Sequence, residues 1–97
     1  MATIGFIGGG QMAEALIKGI LKAELFPAQE ITAADPTPGR RQILKGYGIN
    51  TCADANEMTA ECRIIVLAVK PQIMGPVLDS VQASIGADHL IISIAAG

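Results

Sequence analysis

Aromatic residues are scarce in this sequence, which contains two Phe, one Tyr and no Trp among 97 residues. Because 51% of the residues are nevertheless hydrophobic, the core must be built from aliphatic side chains. Charge is scarce too: 16% of residues are charged and the net charge is −2. The chain therefore has no basic surface that would attract nucleic acid or an anionic membrane, and its length suits one small domain.

Long apolar runs are also missing. The longest, IIVLAV and LIISIAAG, fall far short of the ~20 residues that cross a bilayer, and no signal peptide is visible at the N-terminus. The two cysteines, Cys52 and Cys62, form no CxxC pair and have no histidine nearby. We therefore expect no metal site, two reduced core thiols and a soluble, cytoplasmic protein.

Short apolar runs alternate with segments of helical periodicity. The runs predict β-strands at residues 3–7, 30–34, 49–52, 63–69 and 90–94, and the periodic segments predict helices that begin at residues 11, 38, 54 and 71. Thr37, followed by Pro38, is typical of a helix N-cap. Residues 54–57 have the pattern of a capping box.

Two of the predicted helices carry five apolar residues at the spacing of one buried face. The residues expected to face the core are Met12, Leu16, Ile17, Ile20 and Leu21 in the first helix and Ile73, Val77, Leu78, Val81 and Ile85 in the last.

The order of strands and helices predicts an α/β fold with a parallel sheet and helices on both faces. Right-handed crossovers favour the Rossmann-type strand order 3-2-1-4-5. The sheet would then end in an uncovered apolar edge strand, which is unusual for a complete protein. We expect residues 1–97 to form one dinucleotide-binding domain that more chain follows.

The stretch Gly8-Gly-Gly10-Gln-Met-Ala13 fits the G-x-G-x-x-G/A pattern and lies between the first strand and the first helix. Gly8 would permit the tight turn, Gly10 would let the backbone approach a pyrophosphate, and Ala13 would let the helix pack closely. The pattern leaves Gly9 optional. Free N–H groups at the helix start would face the phosphates.

The end of the second strand bears on the choice between NAD and NADP. Asp35 stands where an acid binds the hydroxyls of the adenine ribose, which favours NAD. Thr37, Arg40 and Arg41 follow directly and are able to accept a 2′-phosphate. Both interpretations remain open at this stage.

Three further polar residues attract attention. Lys70 follows the most apolar strand and would lie beside the dinucleotide or simply in solvent, and Asn56 would reach the adenosine or merely begin a helix. His89 is predicted to be a surface histidine. No paired carboxylates and no Ser-His-Asp set are present, so we expect a cofactor platform without a catalytic residue of its own.

Three motifs together resemble one family. GFIGGGQMAEAL at residues 5–16, LAVKPQ at residues 67–72 and SIAAG at residues 93–97 are similar to the pyrroline-5-carboxylate reductases. This resemblance implies reduction of 1-pyrroline-5-carboxylate to L-proline with NADPH, or alternatively NADH. It covers the whole chain.

The resemblance also implies a set of cofactor-binding residues. Those around the pyrophosphate are Ile7, Gly8, Gly9, Gly10, Gln11 and Met12; those at the ribose are Asp35 and Asn56; those along the middle of the cofactor are Ala68, Val69, Lys70 and Pro71; and those near the nicotinamide are Ile94, Ala95 and Ala96.

Members of the family continue into a helical domain that dimerises and holds most substrate contacts. The resemblance therefore implies a homo-oligomeric parent that acts on a small molecule, with this chain inactive alone. Two alternatives remain: an NADP-dependent reductase of the β-hydroxyacid or deazaflavin-linked type, and a non-catalytic dinucleotide-binding module.

Overall fold

The computed structural model describes residues 3–86 and 88–94. Strands and helices alternate along the chain. The strands are β1 (Ile4–Ile7), β2 (Ile31–Ala34), β3 (Asn50–Cys52), β4 (Ile64–Leu67) and β5 (Leu90–Ser93); the helices are α1 (Gln11–Lys22), α2 (Pro38–Lys45), α3 (Asn56–Thr59) and α4 (Pro71–Val81), with 3₁₀ turns at Ala28–Glu30 and Gln82–Ser84.

The five strands form one parallel sheet in the order β3-β2-β1-β4-β5, which confirms the predicted Rossmann-type fold. The central strand β1 pairs with β2 and β4, so that Ile4 lies opposite both Ile31 and Ile64. All the carboxyl ends point to one edge of the sheet. From β1 the next strands are added on one side of the sheet, and from β4 they are added on the other. The gap between the carboxyl ends of β1 and β4 is therefore the topological switch point, where ligands of such sheets bind.

Helices cover the two faces of the sheet in pairs. On one face, which we call the α1 face, α1 and α2 bury a cluster of residues; on the other, the α4 face, α3 and α4 do so. The clusters are Ile4, Phe6, Ala13, Ile17, Ile31, Ala33, Leu44, Ile49 and Val66 on the α1 face, and Ile7, Ala34, Met58, Cys62, Ile65, Leu67 and Val81 on the α4 face. As expected, the core is almost entirely aliphatic.

The predicted buried faces of the helices are only partly right. In α1, Ile17 is buried, but Met12 and Leu16 are exposed; in α4, Val81 is buried, but Ile73 and Leu78 are exposed. Each helix touches the sheet along one narrow row of side chains. Residues at the edge of the apolar stripe therefore project beside the helix rather than beneath it.

The strand β5 is covered on one side only. On the α4 face, the Ser93 hydroxyl lies 3.1 Å from the Met74 sulfur of α4. On the α1 face, Leu90 and Ile92 lie opposite Ile64 and Val66 and are 56% and 42% exposed. Within the described residues, β5 thus presents the apolar edge that the sequence predicts.

The predicted helix starts are nearly right, but their capping contacts differ. Thr37 is the N-cap of α2, yet its side chain makes no capping hydrogen bond. Asp54 accepts a hydrogen bond from the Asn56 N–H at 2.9 Å, which is an Asx turn before α3 rather than a reciprocal capping box.

Candidate functional site

Gly8 begins the loop that joins β1 to α1. Its φ of +105° is a conformation that side chains rarely adopt, and a Cβ here would lie 2.5 Å from the carbonyl oxygen of Ala68. Its N–H donates a hydrogen bond to the Ala34 carbonyl at 2.9 Å. Glycine is therefore required at position 8 for two reasons: its backbone conformation and the close approach of the Ala68 carbonyl, just after β4.

Gly9 is the optional position of the pattern, yet in this chain it is tightly enclosed. A Cβ at Gly9 would lie 2.9 Å from the Leu44 side chain and 3.0 Å from that of Asp35. Its N–H donates a hydrogen bond to Asp35 Oδ2 at 2.7 Å. The loop packs against α2 and the end of β2, so a larger residue at this position would require Leu44 and Asp35 to shift.

Gly10 faces open space. A Cβ on this residue would meet nothing within 4 Å, and its backbone is extended as the N-cap of α1. The backbone N–H groups of residues 10–13 donate no hydrogen bond to any described residue. The loop therefore has free donors at the positive end of α1, next to unfilled space, which is the arrangement that binds phosphates.

Asp35 follows β2 and is held at both carboxylate oxygens. Oδ2 accepts the hydrogen bond from Gly9, and Oδ1 accepts one from the Thr37 N–H at 2.8 Å. Arg41 donates from Nη1 to the backbone carbonyl of Asp35 at 2.7 Å. Each carboxylate oxygen keeps a further lone pair, so Asp35 is still able to accept a hydrogen bond from a ribose hydroxyl.

Arg40 points at the glycine loop rather than into solvent. Its Nε donates to the Gly9 carbonyl at 2.5 Å and its Nη2 donates to Glu14 at 2.8 Å. The Tyr47 hydroxyl donates to the other Glu14 carboxylate oxygen at 2.5 Å. The sequence offered Arg40 for a 2′-phosphate and did not single out Glu14 or Tyr47, because the contacts join parts of the chain 26 to 33 residues apart.

The hydrogen bonds around Glu14 also shift two pKa values. The Tyr47 hydroxyl, followed by the Arg40 guanidinium, lowers the pKa of Glu14. The same hydrogen bond raises the pKa of Tyr47, because an ionised phenol would have no proton to donate and would face a carboxylate. Glu14 is therefore held in its charged form and Tyr47 in its neutral form.

A cavity of about 420 Å³ opens at the carboxyl ends of the strands. Four predicted site residues line it: Ile7, Gly8, Asp35 and Val69. Thr37, which the sequence offers for a 2′-phosphate, lines it as well. Eight further residues complete the lining, namely Ala34, Pro36, Ala53, Asp54, Ala55, Ile73, Val77 and Ser80. Ile73 and Val77 were expected in the core, and their place at the cavity explains part of the exposed apolar surface of α4.

The other predicted site residues within the described part of the chain do not line this cavity. Lys70 and Pro71 are exposed at the start of α4, and the Asn56 side chain accepts a weak hydrogen bond from the Ser84 hydroxyl at 3.4 Å. The Ile94 N–H donates a hydrogen bond to the Leu67 carbonyl at 3.0 Å. Ala95 and Ala96 lie outside the described residues.

His89 was predicted to be a surface histidine; it is partly buried and also has a structural role. The ring is half-buried; Nδ1 accepts a hydrogen bond from the Gly86 N–H at 2.9 Å and Nε2 lies 2.8 Å from the Thr59 carbonyl oxygen. Because Nδ1 accepts, Nε2 is the ring nitrogen that donates to the Thr59 carbonyl. His89 joins the turn before β5 to the end of α3.

Both cysteines are free thiols. Cys62 is buried as predicted, and burial raises its pKa to about 11. Cys52 is only half-buried, at the end of β3, and burial likewise raises its pKa. Neither thiol is activated as a nucleophile. Across residues 3–86 and 88–94, no cluster of His, Cys, Asp or Glu is arranged to hold a metal, and no helix is long and apolar enough to cross a membrane.

The strand order, the glycine loop and the cavity at the carboxyl ends of the strands are those of a Rossmann-type domain. Residues 3–97 match the family described as "NADP oxidoreductase coenzyme F420-dependent", and the chain belongs to that family. The resemblance to pyrroline-5-carboxylate reductases is confirmed as well. The chain is 41% identical to such a reductase from Pasteurella multocida, over 98% of this chain and 36% of the relative.

Solved structures agree with this assignment. A pyrroline-5-carboxylate reductase from Coxiella burnetii superposes with a TM-score of 0.90 at 28% identity, over 99% of this chain and 36% of that one. The pyrroline carboxylate reductase of Plasmodium falciparum, solved with NADP bound, gives a TM-score of 0.82 at 33% identity, over 97% of this chain and 33% of that one. The chain thus spans about a third of the length of these relatives.

Proposed function

We propose that this chain binds a nicotinamide dinucleotide along the carboxyl edge of its sheet. The observation that carries this proposal is the free N–H groups of residues 10–13, which lie at the start of α1 where Gly10 leaves open space. A Cβ at Gly10 would occupy the space that a pyrophosphate needs, and the positive end of the helix favours an anion there.

The remaining proposed contacts follow from the order of the strands along the carboxyl edge of the sheet. Asp35, with Asn56 further along, lies on the side of the adenosine ribose, and the segment 68–71 lies beside the middle of the dinucleotide. Ile94 lies toward the nicotinamide, with Ala95 and Ala96 next in the chain. The cavity between Asp35 and Val69 supports this placement, since it is open at the point where the two halves of the cofactor would meet the sheet.

We further propose that the whole protein reduces 1-pyrroline-5-carboxylate to L-proline, with NADPH as the preferred cofactor and NADH as the alternative. The relatives named for this activity, matched along nearly all of this chain, support it. The bound dinucleotide supplies the hydride. In this proposal the residues of this chain bind and orient the cofactor, and most substrate contacts are assigned to the part of such reductases that this chain does not match.

The same resemblance supports a homo-oligomer in the cytoplasm as the working form. The exposed Leu90 and Ile92 on β5 favour an assembly, because large apolar side chains that share one exposed surface mark interaction sites.

Turnover by the product of the native gene tests the proposed reaction. We expect oxidation of NADPH that depends on pyrroline-5-carboxylate and yields proline. A Gly10→Val variant should lose turnover through a higher KM for NADPH, whereas Gly19→Val, on the exposed surface of α1, should keep that KM. Absence of turnover with either nicotinamide cofactor would overturn the assignment.

A second function has one observation in its favour. The matching family description names coenzyme F420, so hydride exchange between NADP and a deazaflavin is the alternative. The Lys70-Pro71 pair of the LAVKPQ motif favours the imine reduction. Reduced deazaflavin, offered with NADP to the same gene product, separates the two: NADPH formation would support the alternative.

A further inference from the structure

We propose that Arg40 is a positioning residue of the dinucleotide site. It holds the Gly9 carbonyl, and so aims the Gly10 N–H toward the pyrophosphate, instead of binding a phosphate itself. This inference rests on the proposed function, since it assigns a role within the same site. It also reverses the role in 2′-phosphate binding that the sequence offers to Arg40.

The geometry of the peptide unit supplies the first argument. The carbonyl of Gly9 and the N–H of Gly10 belong to one planar trans peptide, so the two groups point in opposite directions. Arg40 Nε donates to that carbonyl at 2.5 Å from the side of α2. The Gly10 N–H therefore points away from Arg40, and it has no partner among the described residues.

The neighbouring peptide unit is held in the same way. The N–H of Gly9 is bound by Asp35 Oδ2 at 2.7 Å. Gly9 is thus held on both sides, through its N–H by a carboxylate and through its carbonyl by a guanidinium. Both bonds involve a charged group, which makes them stronger than bonds between neutral groups. The loop is already ordered before a ligand arrives, so less ordering is required on binding.

Arg40 is itself fixed by two residues outside the loop. Glu14 accepts from Arg40 Nη2 at 2.8 Å, and Tyr47 donates to the second oxygen of Glu14. The Arg40 and Glu14 side chains are only 25% and 20% exposed. A swing of Arg40 toward a 2′-phosphate would break its bonds to both Gly9 and Glu14. The group of Arg40, Glu14 and Tyr47 is named here the Gly9 clamp.

The first test measures the clamp in the protein without ligand. In Arg40→Gln, the shorter neutral side chain is unable to reach Gly9 and Glu14 together, so the loop loses one charge-assisted bond and should open about tenfold more often. The Gly9 N–H is released from Asp35 only when the loop opens, so its hydrogen should exchange about tenfold faster. Lys45→Gln removes an exposed charge from the same helix and should leave this exchange unchanged. Unchanged exchange at Gly9 in Arg40→Gln overturns the clamp.

The second test uses two dinucleotides that differ only in the 2′-phosphate. Arg40→Gln should weaken the binding of NADH and of NADPH by the same factor of about ten, because the clamp acts at the pyrophosphate that both share. A loss confined to NADPH would show that Arg40 binds the 2′-phosphate and would overturn the proposal. The melting temperature of Arg40→Gln should stay near that of wild type while both dissociation constants rise. A merely structural role would not give this combination.

A milder variant keeps the test decisive where Arg40→Gln unfolds. Tyr47→Phe removes only the hydroxyl that holds Glu14, and should raise both dissociation constants in the same direction by a smaller factor. If wild type binds neither dinucleotide, the proposed function and the role at the pyrophosphate both fail. The exchange measurement at Gly9 still decides whether Arg40 holds the loop.

Discussion

The carboxylate of Asp35 lies 2.7 Å from the backbone nitrogen of Gly9 and accepts its hydrogen bond. The contact joins the end of β2 to the glycine loop across 26 residues of sequence. The residue proposed to meet the adenine ribose therefore also orders the loop proposed to meet the pyrophosphate. A substitution at Asp35 should change both cofactor preference and loop order.

Asp35→Asn should raise the affinity for NADPH relative to NADH. The carboxylate repels a 2′-phosphate, whereas the amide keeps one acceptor oxygen and removes the charge. We expect the ratio of the two dissociation constants to change by about tenfold, equal to ~1.4 kcal/mol. Calorimetric titration with each dinucleotide measures it, and Asp79→Asn, an exposed carboxylate on α4, is the matched control. A ratio that stays constant would contradict the position of Asp35 beside the ribose.

Alanine at Gly8 should reduce stability, whereas alanine at Gly10 should reduce the affinity for NADPH. Gly8→Ala should cost about 1–3 kcal/mol of unfolding free energy because of its left-handed backbone, with the close Ala68 carbonyl adding to the cost. Gly10→Ala should change stability by less than about 1 kcal/mol but should weaken the binding of NADPH, since the new methyl group would enter the space proposed for the pyrophosphate. Urea unfolding and NADPH titration measure the two effects.

Gly19→Ala is the control for these glycine variants. Gly19 lies in the exposed middle of α1, where a Cβ meets nothing within 4 Å. Alanine there should stabilise the protein by about 0.5–1 kcal/mol through its better helix propensity and leave NADPH affinity unchanged. Equal losses of stability at Gly8 and Gly10 would refute the different roles of the two loop glycines.

The Glu14–Tyr47 pair should make stability depend on pH in two windows. The pKa of Glu14 is lowered from 4.5 in the folded protein, so its stabilising effect is present above that pH and is lost as the pH falls through the folded pKa. The pKa of Tyr47 is raised above 10.0, so its effect is present below that pH and is lost as the pH rises through the folded pKa.

Urea unfolding of wild type, Glu14→Gln and Tyr47→Phe between pH 3 and 6 tests the acidic window. The difference in stability between wild type and Glu14→Gln should shrink on acidification below about pH 4.5, the value of the unfolded group. Lys22→Gln, at the exposed end of α1, is the control for a general change of surface charge on this helix. A difference that stays constant down to pH 3 would rule out the hydrogen bond between Glu14 and Tyr47 as its source.

The two thiols should react at different rates. At pH 8, iodoacetamide should modify the half-buried Cys52 before the buried Cys62, whose pKa of about 11 leaves very little thiolate. Mass spectrometry of timed samples measures the order, and in urea both thiols should react at similar rates. Faster labelling of Cys62 in the folded protein would contradict its burial in the core of the α4 face.

The strand order and the glycine loop were predictable because their signals are local. Apolar runs with glycine and proline between them identify five strands in alternation with helices, and handedness then restricts the topology. Gly8 and Asp35 each follow a strand directly, so their place at the carboxyl edge comes with the fold. Val69, which also lines the cavity, was implied by the family resemblance instead.

Other features depend on how distant segments pack. Gly9 is enclosed because α2 brings Leu44 beside it, and Arg40 finds the Gly9 carbonyl 31 residues away. His89 meets the Thr59 carbonyl across 30 residues. Periodicity also overstated the buried face of α4, because it does not show how far a helix extends over the sheet; Ile73 instead lines the cavity.

Titration of the isotope-labelled chain with NADPH, followed by amide chemical shifts, tests the central claim most directly. We predict weak, saturable binding with the largest shifts at residues 8–13, and smaller ones at Asp35 and at residues 68–71. The Gly10→Val variant should remain folded and lose these shifts. A folded wild-type chain with no shifts in the glycine loop at saturating NADPH would contradict the proposed cofactor site.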